Sequence, residues 1–167
     1  MPLGSLPKFA DPQRLADLLT ELEGEVDLGT LARLQELAPG NDGRASVWLS
    51  FRRDEMKRVV MNGRAAAPLV LVCQRCGAPF VDQIEAAWEM VFAHSEDDER
   101  SLADQGLDVW YHDGPVEVAE ILEEELMLAL PMAPRHVEDC EPQQGSTAAP
   151  HPFAALVGLF ERDLPNK

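Results

Sequence analysis

The sequence predicts an α+β protein: an antiparallel sheet of about four strands with flanking helices. Three observations predict it. Leucines recur at helical spacing near the N-terminus. The middle of the chain switches to a two-residue alternation of apolar and polar side chains. After it comes one strongly amphipathic helical stretch, 116–130. The 167 residues are 46% apolar and 26% charged, which is ordinary for a globular chain with its own core.

The elements follow in order. "DPQRLADLLTELEG" reads as a helix, with Asp11 as N-cap, Pro12 in the first turn, and Leu15, Leu18, Leu19 and Leu22 on one face. Gly24 can end it, and residues 25–28 form a short extended piece. "TLARLQELAPG" is a second small helix capped by Thr30 and stopped by Pro39-Gly40. "ASVWLSFRRD" alternates as a strand. "KRVVMNGRAAAPLVLVC" is a longer strand, in which Asn62-Gly63 suggests a bulge or turn and Pro68 weakens the interior. "PFVDQIEAAWEMVFAH" is a third strand, "SEDDERSLADQG" an acidic loop, and "LDVWYHDG" a short last strand. "PVEVAEILEEELMLALP" is the clearest helix. Its apolar face is Val118, Ile121, Leu122, Leu126 and Ala129, and its all-apolar last turn is expected to be buried.

This organisation implies a single α+β domain over 1–140, a flexible linker over 141–152, and a short docking helix and tail over 153–167. The N-terminus has no basic start followed by an apolar core, and no apolar run is long enough for a bilayer. Three cysteines do not make a disulfide framework. A cytoplasmic setting is expected.

The net charge is −16, which opposes general binding to nucleic-acid phosphate. The charge is also divided. Residues 44–75 hold seven basic side chains against two acids, a local net of +5. Residues 82–125 hold fifteen acids against Arg100 alone, a net of −14. Arg52, Arg53, Lys57 and Arg58 cluster at one hairpin end and are RNA-binding candidates; equally, such residues protect a β edge. Glu117, Glu120, Glu123 and Glu124 on the helix are partner-binding candidates, with a solvated helix face as the plain alternative.

"VCQRCGAPF" places Cys73 and Cys76 at Cys-x-x-Cys spacing in a loop between two strands. Two such thiols can grip a metal, cycle as a disulfide, or lie buried. His136 and Cys140 form a second half-site, so Cys73, Cys76, His136 and Cys140 together make a candidate structural zinc site of three sulfurs and one nitrogen. Glycine after the second cysteine relieves crowding around a bound sulfur. The rival is a small thiol-redox protein using Cys73 and Cys76. Thioredoxin-like motifs open a helix, however, whereas this one runs from strand to strand. The histidines are scattered, no nucleophile elbow, phosphate loop or dinucleotide fingerprint is present, and no enzyme is expected.

"VVMNGRAAAPLVLVCQRCGAPF", "ILEEELMLALPMAPRH" running to Cys140, and the terminal "HPFAALVGL" together resemble the YceD family, the bacterial large ribosomal RNA subunit accumulation proteins. The resemblance spans roughly residues 6–160. It implies a cytoplasmic, non-enzymatic ribosome biogenesis factor that supports synthesis, processing or stability of large-subunit (23S) rRNA. Many relatives carry further cysteines where this chain has His136 and Cys140. Charge and family are reconciled in one of two ways. Either the basic segment touches RNA locally, or the acidic pole holds a basic ribosomal protein or assembly factor and rRNA accumulation follows indirectly. The charge favours the second. A protein-binding adaptor without RNA contact is the remaining alternative.

Overall fold

The computed structural model describes residues 4–138 and 140–141. Of the expected linker over 141–152 only residue 141 is described, and the expected docking helix and tail over 153–167 lie outside the described residues. The chain runs β1 (Gly4–Ser5), β2 (Phe9–Ala10), α1 (Pro12–Asp17), β3 (Glu21–Asp27), a 3-10 turn (Leu28–Thr30), α2 (Ala32–Leu37), β4 (Arg44–Arg53), β5 (Val59–Val72), β6 (Pro79–Ala93), α3 (Glu96–Ala103), β7 (Val109–Tyr111), β8 (Val116–Glu117) and α4 (Val118–Ala129).

The fold is α+β, but the sheet is not an antiparallel sheet of about four strands. It is mixed and six-stranded, in the order β1-β3-β4-β5-β6-β7. The neighbours from β3 to β6 pair antiparallel, and a short strand joins each edge in parallel, β1 on β3 and β7 on β6. β2 and β8 form a separate antiparallel pair that leads into α4.

Strand alternation sets the core. Ala45, Val47, Leu49 and Phe51 of β4 and Met61, Ala65, Ala67 and Leu69 of β5 are buried on one face. α4 covers that face with Ile121, Leu122 and Leu126, and Leu28, Leu31 and Leu34 close the layer beside it. The last turn of α4 is only partly buried: Leu126 is fully covered, but Leu128 is exposed. A smaller cluster lies on the opposite face at one end. There Leu102 of α3, with Leu107 and Val109, packs on Val60, Val91 and Ala93.

Four elements differ from expectation. The first helix stops at Asp17, and residues 21–27 form β3 against β4. Asp11 caps it through the N–H groups of Gln13 and Arg14, as its position suggests, but Leu18 and Leu19 are exposed and Leu19 takes φ 50. Ladder bonds to β4 outweigh the leucine spacing. Thr30 does not cap α2; its hydroxyl donates to the Asp27 carbonyl instead. The expected acidic loop is α3, with Ser95 as N-cap and acids throughout its first turn, where they favour the helix dipole. Asn62-Gly63 makes no turn. β5 continues straight through, and a Cβ at Gly63 would lie 2.1 Å from the Trp88 ring. The glycine is there to admit the indole.

β5 outruns β4. Ladder pairing between them ends at Ser46 with Ala66, so Pro68 sits on an open edge where its missing N–H costs nothing. Two residues on, buried Asn41 acts as a substitute strand. Its side chain accepts from the Val70 N–H at 2.7 Å and donates to the Val70 carbonyl at 3.2 Å.

Candidate metal centre

β5 and β6 form a long two-stranded projection whose tip is the turn 73–78. Cys73 and Cys76 stand in that turn. The Gly77 N–H donates to the Cys73 carbonyl at 2.9 Å, and Gly77 has φ 73, a conformation that glycine accepts readily. The Cys73 N–H donates to the Ala78 carbonyl at 2.9 Å, which closes the turn.

After α4, Leu130 leaves the helix in extended conformation, and the chain travels to this tip. The Gln74 N–H bonds the Pro134 carbonyl at 2.8 Å. The His136 ring packs on Phe80, with centroids 4.7 Å apart. These contacts bring the two half-sites together. Cys73 Sγ lies 3.7 Å from Cys140 Sγ, and Cys76 Sγ lies 3.5 Å from His136 Nδ1. One ligand atom from each of Cys73, Cys76, His136 and Cys140 falls within 4.8 Å of all the others.

The donor set fits a tetrahedral soft-metal site. Zinc bond lengths with tetrahedral angles place sulfurs about 3.8 Å apart and sulfur from nitrogen about 3.6 Å. The Cys73–Cys140 and Cys76–His136 separations match those edges. Electrostatics agree. Burial pushes the Cys73 thiol up, but backbone N–H groups of Cys76, His136 and Arg75 bonded to its sulfur outweigh burial and bring it down to about 5. Burial and the neighbouring Cys73 and Cys76 thiols push Cys140 up to about 11. Backbone donors therefore favour the Cys73 thiolate, and burial with the neighbouring thiols disfavours charge on Cys140. All three cysteines are free thiols. The four residues can bind a metal.

The other candidate residues are used differently. Arg52 pairs with Glu89 at 2.9 Å, and Arg53 pairs with Asp17 at 2.6 Å and also bonds Gln13. Arg58 pairs with Asp54 at 2.6 Å. Lys57 sits between them at φ 62 in the tight turn. Glu117 is not on the helix as expected but in β8, paired with Phe9, where it approaches Lys8 at 3.8 Å; on α4, Glu124 pairs with Arg33. The Glu123 carboxylate accepts from the Arg33 and Leu34 N–H groups at the start of α2, a helix with no cap of its own. Glu120 is exposed. No local motif in the sequence announces this capping across two helices. Residues 33 and 123 are too far apart for any local pattern to join them.

A mixed sheet whose longest hairpin meets the segment after α4 at three cysteines and a histidine defines a class: an α+β protein with a candidate Cys₃His centre at a hairpin tip. A family model described as "Large ribosomal RNA subunit accumulation protein YceD" matches residues 61–159, and the chain belongs to that family. A relative of the same name from Haemophilus influenzae is 29% identical over 170 residues, covering 94% of this chain and 97% of the relative. No solved structure matches. Among the described residues no helix is long and apolar enough to cross a membrane.

Proposed function

We propose that this protein is a non-enzymatic ribosome biogenesis factor that supports synthesis, processing or stability of 23S rRNA through a protein partner. Its family membership supports the ribosomal part. One observation carries the choice of partner: Arg52, Arg53 and Arg58, the obvious phosphate contacts, are each committed to a carboxylate of the same chain. With the net charge of −16, the molecule suits a basic ribosomal protein or assembly factor better than bare RNA. Glu120 and, on α3, Glu96 and Asp97 offer the exposed charge that speeds such an encounter. Zinc at Cys73, Cys76, His136 and Cys140 is structural in this reading. It fastens the chain after α4 to the hairpin tip.

The test is complementation. Cells lacking the protein are expected to show a lowered ratio of 23S to 16S rRNA. The wild-type chain should restore that ratio, and so should a chain with Arg52, Arg53, Lys57 and Arg58 changed to glutamine. Failure of the glutamine variant alone, with its fold intact, would make direct RNA contact the better account. The low Cys73 thiol also suits the redox reading. A thiol–disulfide assay separates the two, since rapid cycling of Cys73 and Cys76 would contradict a structural centre.

A further inference from the structure

Among the described residues, the outer face of the sheet is covered at one end only. α3 shields Val60 and Val91. Towards the metal-binding tip the same face is bare, with Val70 45%, Val72 55% and Val81 68% exposed. Neighbouring β-branched residues open to water in this way mark an interaction surface. Between the two ends lies an open groove of about 760 Å³. Ala66 and Ala87 are among the residues that line it. Trp48 is half-buried beside them, with the Arg64 guanidinium 5.7 Å from its ring centroid. Glu23 and Glu85 line opposite sides of the groove.

We infer that this face is a docking site for an apolar segment bearing lysine or arginine, supplied by a basic protein. The inference rests on the protein-partner reading above and gives that partner a place to sit. Charge selects the occupant. The face carries Glu21, Glu23, Glu25, Asp27, Glu85 and Glu89 against Arg44, Arg52 and Arg64. Arg44 and Arg52 are already paired with Glu25 and Glu89. A second copy of the chain would present the same acids to one another, and RNA phosphate would be repelled. The chain's own apolar stretch 153–160 contains no basic residue. The mode of binding is also limited. The open edge of β5 is spoiled for strand addition, because Pro68 lacks an N–H and Asn41 occupies both polar groups of Val70. The occupant therefore lies across the face and is recognised by side chains.

Two-dimensional NMR of the intact full-length chain tests this with a synthetic amphipathic leucine–lysine peptide as probe. Its counterpart with glutamate for lysine is the control. Shifts should concentrate at the Trp48 indole, Val70 and Val81 with the lysine peptide and be absent with the glutamate peptide. Val70→Ser with Val81→Ser should weaken binding about tenfold or more, because the valines supply buried apolar contact. Glu23→Lys with Glu85→Lys should weaken it by about fivefold. Both pairs are at the surface, and unchanged spectra elsewhere will verify the fold. Shifts spread over α3 and α4 with no loss in the valine variant would overturn the inference. So would shifts at Val70 and Val81 on cutting after Glu141, on raising protein concentration, or on adding a 23S rRNA fragment. These three results would identify the occupant as the chain's own end, a second copy or RNA. If the valine variant binds no worse and also restores the 23S to 16S ratio, the docking site fails while the ribosomal role stands. If wild type does not restore that ratio, the reading beneath it fails.

Discussion

The two ends of the β5–β6 hairpin are built on different physical grounds. At the end near Val60 and Val91 both faces are covered, one by the main core and the other by Leu102 of α3. Beyond the reach of β4, Leu69 and Leu71 keep the inner face of the hairpin buried, but the outer face near the tip lacks cover among the described residues. Val72 is half-exposed, and four ligating side chains crowd together instead. The first end is held by burial; the second gathers four potential ligands, and in the function proposed above a bound metal holds it. Where a segment such as 131–138 lies mostly exposed, a metal can join it to the rest of the fold, as it does in small zinc domains.

That difference can be broken deliberately. The largest expected effect is at the tip. Cys76→Ser should abolish metal binding and lose several kcal/mol of local stability, within the range set by structural zinc sites. Hydrogen exchange should then quicken at 73–78 and 131–138, while β4 and α3 keep their protection. Collapse of protection over the whole sheet would mean that the tip is not a separate unit. Next in size is the opposite end. Leu102→Ala should cost about 2–4 kcal/mol by leaving a cavity under α3. A denaturation midpoint lowered with metal content unchanged would set that end apart from the tip.

A smaller effect concerns the turn between β4 and β5. Burial raises the Asp54 carboxyl, but bonds from the Arg58 side chain and from the Arg58 and Met56 backbones outweigh it and hold its pKa below the ordinary 3.8. A depressed folded pKa contributes stability that is present above 3.8 and lost as pH falls through the folded value. Asp54→Ala should cost about 1–3 kcal/mol near neutrality and should flatten the acid limb of a melting-temperature profile. An unchanged acid limb would show that the turn does not carry this linkage.

How far these regions could be read from sequence also differs. β4 and β6 announced themselves by alternation, and α4 by its apolar stripe. Two local patterns misled. Leu18, Leu19 and Leu22 kept helical spacing although residues 21–27 pair with β4, a preference that only the finished sheet supplies. Ser95 and the acids after it were a legible helix start, but Leu102 alone among α3's residues is a buried hydrophobic, too little to show a stripe. At the tip, Cys73 and Cys76 were legible as half of a site, and His136 and Cys140 offered a matching half by spacing. Whether the halves met was not legible, because that depended on where Leu130 released the chain and on the Gln74–Pro134 bond. The role of Glu123 on α2 was hidden for the same reason.

The central claim is that ligation holds the tip, and zinc X-ray absorption on the full-length protein purified without chelator tests it most directly. The account predicts near-stoichiometric zinc in a shell of three sulfurs and one nitrogen, changing to two sulfurs or losing the metal in Cys140→Ser. Protein that is fully folded with little metal, or metal surrounded by oxygen and nitrogen alone, would contradict it.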